Sequence, residues 1–225
     1  MDAQEYCELI EQKARLHKKF YLTIPIKEDN SPLISLKESG FNLVYEPSIK
    51  KNYKYFVREA VFEKIGNISR LLDRDDKRLI IRSVWRSFEH QRVIWENKVK
   101  FLKKEHPNTP LKEIRENVSH FIAPPENSTH ATGGAVDALI YDLKNDCVMD
   151  FGTNKGLNID LIDKCYQHHP FISPRAKKNR KLLIDLFENE DFVCDLKEYW
   201  HFDYGNVSWA IEKGEKYAIY GIIKE

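Results

Sequence analysis

Cysteine is scarce in this sequence, and the few residues present are scattered. Cys7, Cys147, Cys165 and Cys194 form no Cys-x-x-Cys pair, which excludes a thiolate zinc finger and fits no disulfide framework. Reduced, mostly buried thiols are expected. An excess of one charge is missing too. Lys and Arg total 36 against 35 for Asp and Glu, a formal net charge of +1, so no overall field draws the chain to a polyanion. Neither a nucleic-acid nor a membrane partner is expected. Glycine and proline number nine each in 225 residues, too few for collagen-like, disordered or low-complexity sequence. No apolar run approaches membrane-spanning length, and Met1-Asp2-Ala3-Gln4-Glu5 is acidic and amphipathic where a secretory leader is basic and then apolar. These absences predict a soluble, cytoplasmic protein. A Gly-rich phosphate loop and a Gly-x-Ser-x-Gly elbow are also lacking, so nucleotide hydrolysis and serine-hydrolase chemistry have no foothold.

What is present is core material. Hydrophobic residues make up 42% and aromatics 12%, enough for a single domain over 1–225 with no repeat or linker. Tyr6, Leu9, Ile10, Ala14 and Leu16 fall at helical spacing over 4–20, and Phe56, Ala60, Val61, Ile65, Ile68 and Leu72 do so over 56–72. Residues 78–85 (RLIIRSVW) are β-branched and compact, a strand, after which Phe88, Gln91, Ile94, Trp95, Val99 and Leu102 return to helical period. Thr109-Pro110 and Ser173-Pro174 each set a capping side chain before a proline at the first helical position, so helices should start there, the second reaching about residue 190. Further strands are expected at 135–141, 192–196, 199–204 and 217–223. Helices first and strands clustered later predict an α+β domain with a central, mostly antiparallel sheet flanked by helices.

The chemistry concentrates in Ser128-Thr129-His130-Ala131-Thr132-Gly133-Gly134-Ala135-Val136-Asp137. A regular strand sends residues seven apart to opposite faces, whereas a turn at the two glycines can bring His130 and Asp137 to one point. Asp137 lies in an apolar strand, where an ionised carboxylate needs a cation or several donors. A plain alternative is open here: His130 caps a turn and Asp137 accepts backbone hydrogen bonds. A second cluster, Glu198-Tyr199-Trp200-His201-Phe202-Asp203, lowers its odds. His130, Asp137 and His201 together would make a three-ligand zinc site with a fourth position open, leaving Glu198 free as a base. Residues 198 and 201 face opposite ways on a regular strand, so a bulge or strand end must intervene. Trp200 reads as core.

These residues carry a resemblance. Ser-x-His-x-x-Gly-x-Ala-x-Asp at 128–137, followed by Glu-x-Trp-His at 198–201, resembles the zinc D-alanyl-D-alanine dipeptidases (VanX-like) and their D,D-carboxypeptidase relatives, whose fold is hedgehog/DD-peptidase-like. Val84-Trp85-Arg86-Ser87 is similar to the family's strand-end arginine, and Asn179-Arg180-Lys181-Leu182-Leu183 extends the likeness. It covers roughly 55–210, with 1–54 an N-terminal helix and loop extension. The resemblance implies one Zn2+ per chain held by His130, Asp137 and His201, and Glu198 as general base and acid acting on a metal-bound water. It places Arg86 at the scissile carbonyl oxygen, sharing the developing negative charge, and Ser128, Arg86 and Tyr199 among the substrate contacts.

The implied substrate is D-Ala-D-Ala, or a peptidoglycan stem peptide for a D,D-carboxypeptidase. A zinc-containing binding domain without turnover is the rival from another class. The oligomeric state stays open. One departure bears on the choice: after Phe151-Gly152-Thr153, Lys155-Gly156 stands where the dipeptidases have Phe-Asp. Either Asp160 or Asp163 then receives the substrate amine, or no free amine is required. Cys165, His168 and His169 are read as structural rather than as a second metal site. The basic run at 175–181 and Lys100, Lys103 and Lys104 are read as solvated faces.

Overall fold

The computed structural model describes residues 2–46, 53–119, 122–153 and 165–223. Helix α1 (Ala3–Tyr21) opens on a capping box, in which Asp2 accepts from the Glu5 amide and Glu5 accepts from the Asp2 amide. Three short strands follow, β1 (Leu33–Ser35), β2 (Leu43–Tyr45) and β3 (Phe56–Arg58). Helix α2 (Glu59–Asp73) therefore begins later than its periodicity predicts, because residues 56–58 pair antiparallel with β1. Strand β4 (Lys77–Ser83) runs into α3 (Phe88–Glu105), whose first turn is capped by Ser87 accepting from the His90 amide.

Helix α4 (Leu111–Val118) corrects an expectation. Its N-cap is Pro110, with no side-chain cap, because Thr109 belongs to the turn closing α3: its amide donates to the His106 carbonyl and its own carbonyl accepts from Lys103. Strand β5 (Ala135–Asp142) hairpins into β6 (Cys147–Val148). Helix α5 (Pro174–Glu188) is capped by Ser173 as expected. Strands β7 (Val193–Cys194) and β8 (His201–Asp203) and helix α6 (Val207–Lys213) complete the order.

The main sheet runs β2-β4-β5-β8-β7, with β6 on the far end of β5. Only the β2–β4 pair is parallel, so the sheet is mostly antiparallel, as expected. The strand expected at 217–223 does not form; a single bridge joins Ile26 and Ala218. The amides there are drawn elsewhere, Ile219 and Tyr220 to the Gly205 carbonyl and Gly221 to the Glu28 carboxylate.

Strand alternation divides the sheet into two faces. Leu79, Ile81, Val136, Ala138, Ile140 and Phe202 are fully buried on one, against α2 and α5, where Phe187 stacks on Phe202 at 3.8 Å. Asp137, Leu139, His201 and Asp203 point to the other face. The basic run at 175–181 is not wholly a solvated face. Arg180 is 1% exposed, donates to the carbonyls of Phe151 and Tyr166, and lies over the Tyr199 ring at 3.9 Å. Helical periodicity turns that one cation inward while its neighbours stay in water. Among the described residues no helix is long and apolar enough to cross a membrane.

Candidate active site

The turn before β5 behaves as its glycines require. Thr129–Thr132 form a single 3-10 turn that ends on Gly133 in the left-handed region, φ +76°. Gly134 then passes so close to the chain that a Cβ there would meet the Tyr204 carbonyl oxygen at 2.3 Å. Its own carbonyl accepts from the Tyr204 amide. The reversal sets His130 beside Asp137, with Nε2 3.3 Å from the carboxylate. Register brings in the third residue, since Asp137 and His201 are direct partners across β5 and β8, and opposed residues of an antiparallel pair share a face. His201 Nδ1 lies 2.8 Å from Asp137 Oδ1.

The three donor groups lie within 4.8 Å of one another, all buried, and are the one such group among the described residues. The donor set fits zinc for a specific reason. His130 Nδ1 is 2.8 Å from the Val84 carbonyl, which can only accept, so Nδ1 carries the proton and Nε2 presents a lone pair. Burial, then the charge of Arg86, lowers the His130 pKa. A lone pair facing a carboxylate at 3.3 Å is repulsive unless a proton or a metal cation lies between them. Asp137 stays ionised even so: burial would raise its pKa, but His130 and His201 outweigh burial and hold it well below the ordinary range.

Arg86 follows β4, whose ladder with β5 is irregular between Ile81 and Ser83. Its Nε donates to Ser83 Oγ and one terminal nitrogen to Gln91 Oε1, each at 3.0 Å. The other terminal nitrogen is 3.5 Å from Asp137 Oδ2. Gln91, 1% exposed, also donates to the Ala123 carbonyl. It occupies an apolar position of the α3 period, and a buried amide there was the available sign that it clamps something.

Glu198 is not on a strand. Residues 195–200 form a turn in which Asp195 Oδ1 accepts from the amides of Lys197 and Glu198, and the His201 amide closes back on the Glu198 carbonyl. Strand β8 starts only at His201, which removes the facing conflict that a regular strand imposes. Burial pushes the half-buried Glu198 carboxyl up to about 7, with His201 pulling it down and Asp137 and Asp195 pushing it up. A carboxyl with that pKa can both take and return a proton near neutrality.

The remaining expectations divide. Ser128, 2% exposed, opens the turn that carries His130. Tyr199 is not brought to the site: it is 1% exposed, with its ring stacked on Phe151 and beneath Arg180. It precedes β8, where the turn leaves Glu198 half-buried and sends the next side chain into the core. Lys155, Gly156, Asp160 and Asp163 lie outside the described residues. Asp203 was missed, although His-x-Asp on a strand puts both side chains on one face; its Oδ1 is 3.2 Å from His201 Nε2.

Comparison with known proteins points to a family. The family profile VanY, D-alanyl-D-alanine carboxypeptidase, matches residues 54–207. A D-alanyl-D-alanine dipeptidase of Synechocystis is 24% identical over 230 aligned positions, covering 88% of this chain and 92% of that protein. The dipeptidase of Escherichia coli is 30% identical over 76 residues, 34% of this chain and only 37% of the relative. Among solved structures, the LdcB LD-carboxypeptidase overlays with a TM-score of 0.49 at 15% identity, over 83% of this chain and 76% of its own. VanYB in complex with D-Ala-D-Ala overlays at 0.46 and 16%, over 83% and 85%. The family match covers every residue of the triad together with Arg86 and Glu198; this chain belongs to the VanY family of D-alanyl-D-alanine carboxypeptidases.

Proposed function

We propose that this protein is a zinc-dependent D,D-dipeptidase that hydrolyses D-alanyl-D-alanine to two molecules of D-alanine. The observation that carries the reading is the buried triad of His130, Asp137 and His201, with Arg86 paired to Asp137 and the Glu198 carboxyl electrostatically coupled to His201 and Asp137. His130, Asp137 and His201 hold one zinc ion per chain. When bound, zinc activates water and polarises a carbonyl as a Lewis acid. Glu198 takes the proton of the attacking water and returns it to the leaving amine. Arg86, fixed by Ser83 and Gln91, offers its remaining terminal nitrogen to the carbonyl oxygen as negative charge develops there. Ser128 contributes a substrate contact beside His130. A binding domain without turnover would have no use for a base of raised pKa at an open metal site. Cytoplasmic residence is part of the proposal, supported by four free thiols.

The family profile favours a second reading, D,D-carboxypeptidase action on peptidoglycan stem peptides. Assay of free D-Ala-D-Ala beside an N-acylated D-Ala-D-Ala peptide separates the two. Dipeptidase action requires hydrolysis of the free dipeptide alone, and preference for the acylated peptide would establish the carboxypeptidase instead. Chelation should abolish turnover and zinc restore it; undiminished activity in metal-free protein overturns both. Glu198→Ala should lose about 10²- to 10⁴-fold in kcat while still binding zinc, measured by steady-state kinetics and metal analysis.

A further inference from the structure

The two imidazoles of the triad present different nitrogens toward Asp137, and different groups hold them there. His130 offers Nε2 because a backbone carbonyl takes its Nδ1 proton. His201 offers Nδ1, and behind it Nε2 is 3.2 Å from Asp203 Oδ1. A carboxylate only accepts, so Asp203 keeps a proton on Nε2, and Nδ1, which faces Asp137, is the nitrogen from which a bound cation would displace the other proton. Asp203 is itself fixed. It is 3% exposed, and its Oδ1 accepts from Asn206 Nδ2 at 2.6 Å. The amide of Asn206 can point only one way, because its Oδ1 caps α6 by accepting from the Trp209 amide.

We infer that Asp203, held by Asn206, is a positioning residue that commits His201 to ligate the metal through Nδ1. The inference rests on the metal site of the proposed function and adds a residue to it. A buried carboxylate hydrogen-bonded to a ligating imidazole fixes the tautomer, orients the ring and strengthens the nitrogen as a donor. Thr129 Oγ1 also lies 3.2 Å from His201 Nε2, but a hydroxyl can donate or accept and so does not choose the tautomer.

The test is zinc affinity of the metal-free chain, measured by chelator competition and not by turnover. Asp203→Asn should weaken zinc binding about 10- to 100-fold. Asn206→Ser, which keeps a capping oxygen but removes the donor to Asp203, should weaken it in the same direction by less. Thr129→Val should lose less than Asp203→Asn does. Thermal melts of the metal-free variants establish that each is folded, and 15N shifts of the His201 ring in the zinc-loaded chain report its tautomer, which should become mixed in Asp203→Asn. Parent-like affinity and tautomer in Asp203→Asn and Asn206→Ser overturn the inference, as does a Thr129→Val variant that loses as much as Asp203→Asn. A parent chain that takes up no zinc removes the metal centre itself, a separate result from a parent that binds and variants that bind equally well.

Discussion

At the scale of single residues, environment decides what each acid does. Asp137 and Glu198 are both carboxyls at one site, yet the imidazoles hold the first well below its ordinary range while burial raises the second from 4.5 to about 7. For Glu198 the unfolded chain gives up its proton before the folded one does. The folded state therefore loses stability as pH rises from about 4.5 to about 7, and the loss persists above that. In metal-free protein, Glu198→Gln should raise the melting temperature over the parent by more at pH 8 than at pH 4.5, read by thermal circular dichroism. Equal gains at both pH values would show that Glu198 is not destabilised by its own charge. The same residue is thus expected to be unfavourable for the fold and necessary for turnover.

At the scale of elements, the turn and the register do the assembling. The adjacent glycines were visible as the feature able to join His130 to Asp137, and Gly133 adopts a backbone open to few other residues. The need for Gly134 comes instead from the Tyr204 carbonyl just past β8, which the order of residues alone does not place nearby. Gly134→Ala should cost about 1–3 kcal/mol through overpacking and should lower zinc occupancy, because it pushes β5 from β8 where Asp137 meets His201. Urea melts and metal analysis check the two effects. Short strands were the least legible elements. Three-residue β3 hides at the start of a helical period, and pairing with β1 overrode that periodicity.

At the scale of the whole molecule, the segments outside the motif brace it. Arg58, 4% exposed, donates to the Thr132 carbonyl, and its amide donates to the Gly133 carbonyl. Its guanidinium also pairs with Glu28 at 3.0 Å, and Glu28 accepts from the Gly221 amide. Residues near both ends of the chain thus meet at the turn that carries His130. Binding at a buried triad made of residues far apart in sequence is coupled to folding. Zinc at a thousand times its Kd should therefore stabilise the chain by about 4 kcal/mol, seen as a chelator-reversible rise in Tm. No shift with zinc would argue against the triad as its site.

The sequence by itself determined the residue types and their spacing: two imidazoles, a carboxylate in an apolar strand, a second acid, a strand-end arginine and a glycine turn. It also settled the α+β layout, because periodicity and caps are local properties of the chain. Only the tertiary structure decided which nitrogen each histidine turns toward Asp137, that Tyr199 faces the core, and that Gln91 and Asp203 lie against Arg86 and His201. Those outcomes depend on strand register and on neighbours distant along the chain, and no local pattern encodes either.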